Sequence, residues 1–298
     1  MTCGKVVSQR FVIGIDGGGT HCRAMLQDTH GNILSVGEAG PANIMSDAKQ
    51  ALASLTKACN KAIEAAPVNV KLDDVVVAAG LAGANIPQAK SAFLSLPMPF
   101  KQIEIISDLH AACLGAHGGK DGALLICGTG SAGTLYQNGQ FTDKGGYGFN
   151  VGDNASAAWL GHAAIKHTLL AFDNIETRGA LFSRITSHFA VADPHALVEK
   201  IAHFNAQSYG TLAPLVVECF SEGCQTAEAL LNAGGEYLSK LGKALLCETD
   251  TPLPVCFLGG LAKVYIPFMD KQLTRSFVDA QSDARQGAID YVKQQALI

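Results

Sequence analysis

The chain has 298 residues, of which 48% are hydrophobic and 16% charged, and its formal net charge is -4. This composition, with 32 glycines, is typical of a soluble α/β protein, and the length favours two domains over one. No basic surplus is available for a phosphate backbone, so nucleic acid is not an expected partner.

No membrane association is expected either. The longest apolar run, residues 75–84, contains Gly80 and falls short of the roughly 18 to 20 residues that a membrane-spanning helix needs. The apolar segment after Lys5 and Arg10 breaks at Asp16, too early for a signal-peptide core. The nine cysteines contain no C-x-x-C pair, which favours reduced core thiols. We therefore expect a cytoplasmic protein.

The first part of the chain predicts three successive strands and then alternating helices and strands. Apolar or alternating runs predict strands at 11–15, 21–27, 33–39, 75–79 and 103–107. Helical periodicity predicts a helix that Ser46 caps and Pro67 ends, and further helices at 87–94 and about 109–116. The resulting order is β-β-β-α-β-α-β-α.

The opening order returns after residue 122. Strands are predicted at 123–127, 134–137, 140–143 and 255–258. Asn138-Gly139 is typical of the turn of a hairpin between the second and third of these strands. Helices are predicted at about 155–172, 176–189, 195–205, 212–221, 227–246 and 283–295. These patterns indicate two copies of one topology, the second with a helical insertion.

Each copy has a turn with few side chains directly after its first strand: Asp16-Gly17-Gly18-Gly19-Thr20 in the first and Gly128-Thr129-Gly130-Ser131 in the second. Glycine permits positive φ and close approach, so such a turn can direct several N–H groups at one anion. Either turn alone is more simply a tight hairpin. Their recurrence at matching positions favours two anion-binding turns on either side of one cleft.

Two better-known phosphate motifs do not apply. Gly128, Gly130 and Gly133 spell G-x-G-x-x-G, but the dinucleotide fingerprint requires a helix after the last glycine, and a strand is predicted there. Residues 115–120 have the wrong spacing for a Walker A loop, and Asp121 stands where Ser or Thr should hold magnesium.

The duplicated order and several motifs resemble the actin-like ATPase and hexokinase superfamily. Within it, the chain is similar to the BadF/BadG-type ATPase family, especially its N-acetylglucosamine and glucosamine kinases. The motifs are "GIDGGGTHCRA", "PANIM", "SDLHAACLGAH", "GTGS", "GGYGFNVGDNASAAWLG" and "LGGLA". The resemblance implies an α/β fold of two RNase H-like domains around a central cleft, each with a mixed five-stranded sheet. We place these domains at 1–118, joined by the C-terminal helix 283–298, and at 119–282.

The resemblance also implies the cofactors ATP and Mg²⁺. The residues expected to bind ATP are Gly17, Gly18, Gly19, Thr20, Gly128, Thr129, Gly130, Gly259 and Gly260. Asp16 would hold hydrated Mg²⁺, which usually takes only one or two carboxylates. Asp108, at the end of a strand, would be the general base for the sugar hydroxyl. The alternatives are turn capping for Asp16, an N-cap for Asp108 and a simple turn for Gly259-Gly260.

The substrate implied by the resemblance is an amino sugar. The residues expected to bind it are Asn43, Asp108, Ser131, Gly146, Tyr147 and Asp153. Loop and cap chemistry is the alternative for Asn43 and Asp153. Many relatives have tryptophan where Tyr147 stands, and "GDEGS" where this chain has Asn154 and Ala155 in place of Glu-Gly. Histidines such as His110 and His162 are not interpreted as a zinc site.

The expected function is ATP-dependent phosphorylation of N-acetylglucosamine at its 6-hydroxyl by a homodimer. Glucosamine is the alternative substrate, because "ANIM" and "SDARQGA" also resemble glucosamine kinases. The same family includes ATPase activators that bridge an iron–sulfur cluster, and Cys127 has a suitable place, although the next cysteine is the distant Cys219. A sugar-sensing module without turnover is a third possibility.

Overall fold

The computed structural model describes residues 11–247, 249 and 251–297. Residues 1–10 of the predicted first domain and Ile298 of its C-terminal helix lie outside the described residues. Contacts divide the chain into two compact units, which we call unit 1 (1–122, 136–141 and 279–298) and unit 2 (123–135 and 142–278). The domain boundaries given by the sequence stay a prediction.

The secondary structure alternates strands and helices in the first third and is mainly helical after residue 156. The strands are β1 Phe11–Gly17, β2 Cys22–Asp28, β3 Ile33–Ala39, β4 Val75–Leu81, β5 Gln102–Ser107, β6 Gly122–Cys127, β7 Ser131–Gln137, β8 Gln140–Gly145, β9 Val255–Leu258 and β10 Phe277–Val278. The helices are α1 Ala48–Glu64, α2 Pro87–Leu94, α3 Asp108–His117, α4 Ala157–Phe172, α5 Ala180–Phe189, α6 Pro194–Ile201, α7 Ala206–Gly210, α8 Ala213–Ser221, α9 Gln225–Leu246, α10 Ala262–Tyr265, α11 Lys271–Thr274 and α12 Ala284–Gln294. Short 3₁₀ turns lie at Leu72–Asp74 and Ile266–Phe268.

The sheet of unit 1 has the strand order β3-β2-β1-β4-β5. β1 pairs antiparallel with β2 and parallel with β4, and β4 pairs parallel with β5. Every residue of β4 is buried, as expected for a parallel strand covered on both faces. The carboxyl ends of β1, β4 and β5 therefore share one edge of the sheet.

The C-terminal helix α12 packs on α3 and β1 through glycines. A Cβ at Gly14 would lie 2.1 Å from the carbonyl oxygen of Arg285, and one at Gly287 would lie 1.9 Å from that of Ala111. Any side chain at either position would push the helix away. This close packing places the first turn of α12 beside the end of β1.

Unit 2 repeats the topology. Its sheet order, β10-β9-β6-β7-β8, has the same neighbours as β5-β4-β1-β2-β3, and β9 lies parallel to β6 and to β10. Its helices pack into one hydrophobic cluster with the buried side chains of β6. The predicted α/β class with two five-stranded mixed sheets is confirmed.

Several local predictions need correction. α1 begins at Ala48, and its N-cap is Asp47, whose side chain accepts from Gln50 N at 2.9 Å; the predicted cap, Ser46, is wrong. The helix predicted from residue 176 begins at Ala180, and the segment 195–205 is a shorter helix, α6, followed by the separate α7. The strand β10 and the short helices α10 and α11 were not predicted. Asn138 and Gly139 have φ of 52° and 81°, which confirms the hairpin turn.

Candidate active site

The main chain of the first glycine turn is held by hydrogen bonds at Gly17 and Gly18, which leave the next two residues unbonded. Gly18 N donates to His21 O at 2.9 Å, and the carbonyl oxygens of Gly17 and Gly18 accept from Ala82 and Ala42. Within the described part of the chain, the N–H groups of Gly19 and Thr20 donate to nothing. Nothing lies within 4 Å of a Cβ placed at Gly19. The turn thus presents free N–H groups beside open space.

These turns do not use the positive φ that glycine permits. None of Gly17, Gly18, Gly19, Gly128 and Gly130 has a left-handed conformation. A Cβ at Gly17 would lie 2.6 Å from Leu81 Cδ2. Glycine is needed here for close packing and for access to the main chain.

Asp16 belongs to a row of charged side chains across the sheet of unit 1. Its partner on β2 is Arg23, whose partner on β3 is Glu38. Directly paired residues project from the same face of a sheet. Arg23 Nε lies 3.5 Å from Glu38 Oε1. The metal ligand expected at Asp16 therefore has a guanidinium as its immediate neighbour.

Sequence reasoning missed a second cation at this place. Arg285, in the first turn of α12, donates from Nε and Nη2 to Asp283 Oδ2 at 3.1 and 2.6 Å. Burial raises the pKa of Asp16 and Asp283 adds to the rise, whereas Arg23 and Arg285 act against it. The one signal in the sequence was the "SDARQGA" motif, which gives no indication that residues 283–285 reach residue 16.

Asp108 is the first residue of α3, and Ser107 caps the helix. Ser107 Oγ accepts from His110 N at 3.1 Å, and Asp108 Oδ1 accepts from Leu109 N at 2.9 Å. Burial raises the pKa of Asp108, and the charge of Asp16 raises it further. The helix does not depend on Asp108 for its N-cap, so the alternative reading of Asp108 as the cap is wrong.

Gly80 brings the two carboxylates to one place. It pairs with Asp16 on β1 and with Ile106 on β5. A Cβ at Gly80 would lie 2.4 Å from Ala111 Cβ and 3.5 Å from Asp108 Cα. The absence of a side chain there lets the start of α3 settle against β4, between Asp16 and the end of β5.

Asn43 combines loop chemistry with a free donor. Its Oδ1 accepts from Met45 N and Ser46 N at 2.9 and 3.2 Å, which is the predicted alternative role. In the described ranges no acceptor is recorded for its Nδ2. A sugar oxygen could therefore be bound by Nδ2 without breaking the loop.

The second turn is built differently from the first. Gly128 N donates to Gly130 O at 2.9 Å, and the carbonyl of Gly128 accepts from Ala157 N at 2.8 Å. A Cβ at Gly130 would lie 2.8 Å from Asp153 Oδ2. The turn is thus fastened to the start of α4, and Gly130 makes room for a carboxylate.

Asp153 joins the second turn to the loop 145–152. Burial raises its pKa, while the N–H groups of Ser131 and Gly148 donate to its carboxylate and lower it. Ser131 Oγ donates to Asn154 O at 2.6 Å, and Gly146 N donates to Ser131 O at 3.1 Å. The structure therefore brings Ser131, Gly146 and Asp153 together. Tyr147 lies in the same loop with 74% of its side chain exposed.

One of the two departures from "GDEGS", Ala155, lies in strained backbone. Ala155 has φ of 67° and Asp153, which matches the motif, has φ of 55°, a region that favours glycine. Ala155, where relatives have glycine, is nevertheless fully buried. Its carbonyl accepts from the Cys127 thiol at 3.1 Å.

Gly259 and Gly260 follow β9. A Cβ at Gly259, whose φ is 108°, would lie 2.1 Å from Cys127 O, whereas nothing lies near Gly260. Gly259 is therefore required by its own backbone, and Gly260 leaves open space. The structure gives a packing reason for the first of these glycines, and both the simple turn and the ATP-binding role stay predictions.

Two cavities are lined by none of the predicted site residues. A cavity of about 770 Å³ lies between α1 and Leu96–Pro99 and contains none of the predicted site residues. A smaller one, of about 340 Å³, is lined by Asn154 and Trp159 among others in unit 2. Among residues 11–247, 249 and 251–297, no group of three or more His, Cys, Asp or Glu residues is placed to hold a metal ion. No helix in the same residues is long and apolar enough to span a bilayer.

Comparisons with known proteins identify the family of the chain. Residues 13–290 match the sequence model of the BadF/BadG/BcrA/BcrD ATPase family. Glucosamine kinase GspK of Vibrio cholerae is 31% identical over 280 residues, 94% of this chain and 94% of that protein. N-acetyl-D-glucosamine kinase of Dictyostelium discoideum is 24% identical over 274 residues, 85% of this chain and 86% of that protein. A Chromobacterium violaceum structure, provisionally named an N-acetylglucosamine kinase, has a TM-score of 0.85 and 28% identity, over 95% of this chain and 99% of that chain.

The chain belongs to the BadF/BadG/BcrA/BcrD ATPase family, because the match covers nearly its whole length. The resemblance inferred from the sequence motifs is confirmed. The individual site residues stay predictions.

Proposed function

We propose that this chain is an ATP-dependent amino-sugar kinase that phosphorylates N-acetylglucosamine on its 6-hydroxyl. Membership of an ATPase family and relatives named as glucosamine and N-acetylglucosamine kinases support the class of reaction. The observation that carries the proposal is the position of Asp108. Asp108 is close enough to Asp16 for the charge of Asp16 to raise its pKa, and Ser107 rather than Asp108 caps α3.

In the proposed reaction, the sugar hydroxyl gives its proton to Asp108 while its oxygen attacks the γ-phosphorus and the bond to ADP breaks. A buried carboxylate is a stronger base than an exposed one because burial disfavours its charge. The hydrogen bond from Leu109 N acts against this rise in the pKa of Asp108 and favours the ionised form that a base needs.

Asp16 fits hydrated Mg²⁺, an oxygen-preferring ion that keeps most of its waters. A carboxylate near the end of β1, with Asp108 and Asp283 close enough to share its charge environment, suits water-mediated contact. When bound, the ion would neutralise charge on the phosphates of ATP. Arg23 and Arg285 would keep the Asp16 carboxylate ionised and oriented.

The remaining predicted residues keep their proposed roles. In unit 1, the free N–H groups of Gly19 and Thr20 would bind phosphate oxygens, and Asn43 Nδ2 a sugar hydroxyl. In unit 2, the phosphate contacts would come from the second turn, the space at Gly260 would accept adenosine, and the sugar contacts would come from Ser131, Gly146, Tyr147 and Asp153.

Glucosamine is the second candidate substrate, because the Vibrio cholerae relative is named a glucosamine kinase. The iron–sulfur activator is less consistent with the structure. Burial raises the pKa of the Cys127 thiol to about 12, and its proton is already donated to Ala155 O. A ligand thiol has to lose that proton.

The test is a coupled ADP-release assay with Mg·ATP and N-acetylglucosamine, glucosamine or glucose, followed by phosphorus–proton NMR to find the phosphorylated hydroxyl. The proposal expects turnover of N-acetylglucosamine and a 6-phosphate product. Preference for glucosamine would change the substrate, and inertness toward all three sugars would refute the proposal. Sugar binding without ADP release would indicate a sensing module. We also propose a cytoplasmic homodimer, to be checked by light scattering and cell fractionation.

A further inference from the structure

A tyrosine outside every predicted motif lies at the centre of the substrate residues of unit 2. Tyr237 is half-buried in the middle of α9. Its hydroxyl oxygen is 3.4 Å from the position that a Cβ would take at Gly145. The hydroxyl therefore lies directly under the start of the loop 145–148.

The side chains of Asn154 and Ser131 act on the pKa of this hydroxyl as hydrogen-bonding neighbours, and the charge of Asp153 is close enough to raise it. Burial raises the pKa of Tyr237, so its hydroxyl is protonated at neutral pH. Ser131 is bonded in turn to Asn154 O through its side chain and to Gly146 N through its carbonyl. One phenol thus connects the second turn, the loop 145–148 and the segment 153–154.

A second tyrosine of unit 2 provides a contrast. Tyr265 is fully buried against Gly234, one turn of α9 before Tyr237, and its hydroxyl has no hydrogen-bond partner among the described residues. Its ring and hydroxyl oxygen fill space beside Gly234, and the hydroxyl fixes no polar neighbour. The Tyr237 hydroxyl, in contrast, contacts polar groups that are all proposed to lie at the sugar or beside it.

We propose that Tyr237 is a positioning residue for the sugar: its hydroxyl fixes Ser131 and Asn154, and with them the loop 145–148, in the geometry that recognises the substrate. This inference rests on the proposed function. A tyrosine suits the role because its rigid side chain loses little conformational freedom when it is fixed. The proposed phosphate contacts of the second turn would come from the main chain of Thr129 and Gly130, whereas Tyr237 acts on the side chain of Ser131.

The test compares Tyr237→Phe with the matched variant Tyr265→Phe, each of which removes one hydroxyl from a ring packed on α9. Steady-state KM is measured for N-acetylglucosamine and for ATP, sugar binding without ATP is measured by equilibrium dialysis, and the folded state is checked by thermal unfolding. We expect Tyr237→Phe to raise the sugar KM and dissociation constant about tenfold, the size of one lost hydrogen bond to substrate-binding groups, with the KM for ATP unchanged. Tyr265→Phe should change neither KM.

An Asn154→Ala variant and the double variant complete a cycle. If Tyr237 acts through Asn154, the double variant loses less sugar affinity than the sum of the two single losses. An unchanged sugar KM in Tyr237→Phe, or equal increases in both KM values, would overturn the inference. If the wild-type protein phosphorylates no amino sugar, the proposed function is refuted and the inference falls with it; normal wild-type turnover with an unaffected Tyr237→Phe refutes the inference alone.

Discussion

The two glycine turns occupy the same position in two copies of one topology, yet their chemistry differs. Asp16 is the second-last residue of β1, before the first turn, and Cys127 is the last residue of β6, before the second. Each is adjoined by a glycine of the neighbouring parallel strand or its end, Gly80 for Asp16 and Gly259 for Cys127. The backbone arrangement is shared, but one copy carries a carboxylate and the other a buried thiol.

This difference indicates a division of labour. Around Asp16, unit 1 collects charged groups: Arg23, Arg285, Asp283 and Asp108 all affect its charge or are affected by it. The turn of unit 2 is neutral apart from Asp153, which the N–H groups of Ser131 and Gly148 already satisfy. The charge-handling part of the proposed chemistry therefore belongs to unit 1, and unit 2 contributes mainly hydrogen bonds.

The largest expected effect comes from Asp108→Asn. Because the amide cannot accept the proton of the sugar hydroxyl, we expect kcat to fall about 10²- to 10⁴-fold, with the KM for ATP little changed. The folded state should persist, since Ser107 still caps α3. Single-turnover phosphorylation measures the chemical step, and an undiminished rate would mean that the base lies elsewhere.

The pH profile of the wild-type enzyme tests the same residue without mutation. The base must be ionised, so activity falls as the pH drops through its pKa. Burial raises the pKa of Asp108 above its ordinary value, so the acid limb of kcat/KM should lie above that of an exposed carboxyl group, near pH 4. An acid limb at or below the ordinary value would contradict the burial of the base.

Asp16→Asn and Cys127→Ser compare the two copies directly. We expect Asp16→Asn to weaken the apparent affinity for Mg²⁺ about 10- to 100-fold, as is typical when a group that holds a metal's water shell is changed. Cys127→Ser keeps a donor for Ala155 O and should retain both Mg²⁺ affinity and turnover. Mn²⁺ binding followed by electron paramagnetic resonance, with ATP present, gives a reading independent of activity. Equal losses in the two variants would remove the distinction between the turns.

Much of the fold could be predicted because local patterns coincide with tertiary structure. Ile33–Ala39 and Pro87–Leu94 were predicted with both ends correct, the helix because Pro87 defines its first position. β10 was missed because two residues carry no periodicity and pair only through β9.

The site divides in the same way. Asp16 and the glycines of the turns are parts of recognisable motifs. Arg285 and Tyr237 come near these residues only because segments distant in sequence pack together, which the sequence does not show. Ser46 was chosen over Asp47 as the cap of α1 because adjacent capping residues differ only in backbone conformation, which sequence does not specify.

Alanine substitutions distinguish a glycine that leaves space for a ligand, Gly19, from one that packs against a protein side chain, Gly130. Gly19→Ala places a methyl group where no protein atom lies within 4 Å, so stability should change by less than about 0.5 kcal/mol while the KM for ATP rises. Gly130→Ala meets the Asp153 carboxylate at 2.8 Å and should cost about 1–3 kcal/mol through overpacking, with a higher KM for the sugar. Denaturant unfolding and substrate titrations measure both. A higher sugar KM in Gly19→Ala alone would reverse these roles.

The smallest expected effect concerns the C-caps of two helices, one in each unit, that share a backbone conformation and differ in residue. The cap of α3 is Gly118, with φ 59° and ψ 40°, and the cap of α5 is Ala190, with φ 52° and ψ 49°. Because alanine is strained in this region, Ala190→Gly should stabilise unit 2 by about 1 kcal/mol. Ala202, an exposed cap with right-handed φ of -54°, is the matched control, and Ala202→Gly should destabilise by a similar amount. Loss of stability in both variants would mean that the left-handed cap at Ala190 carries no strain.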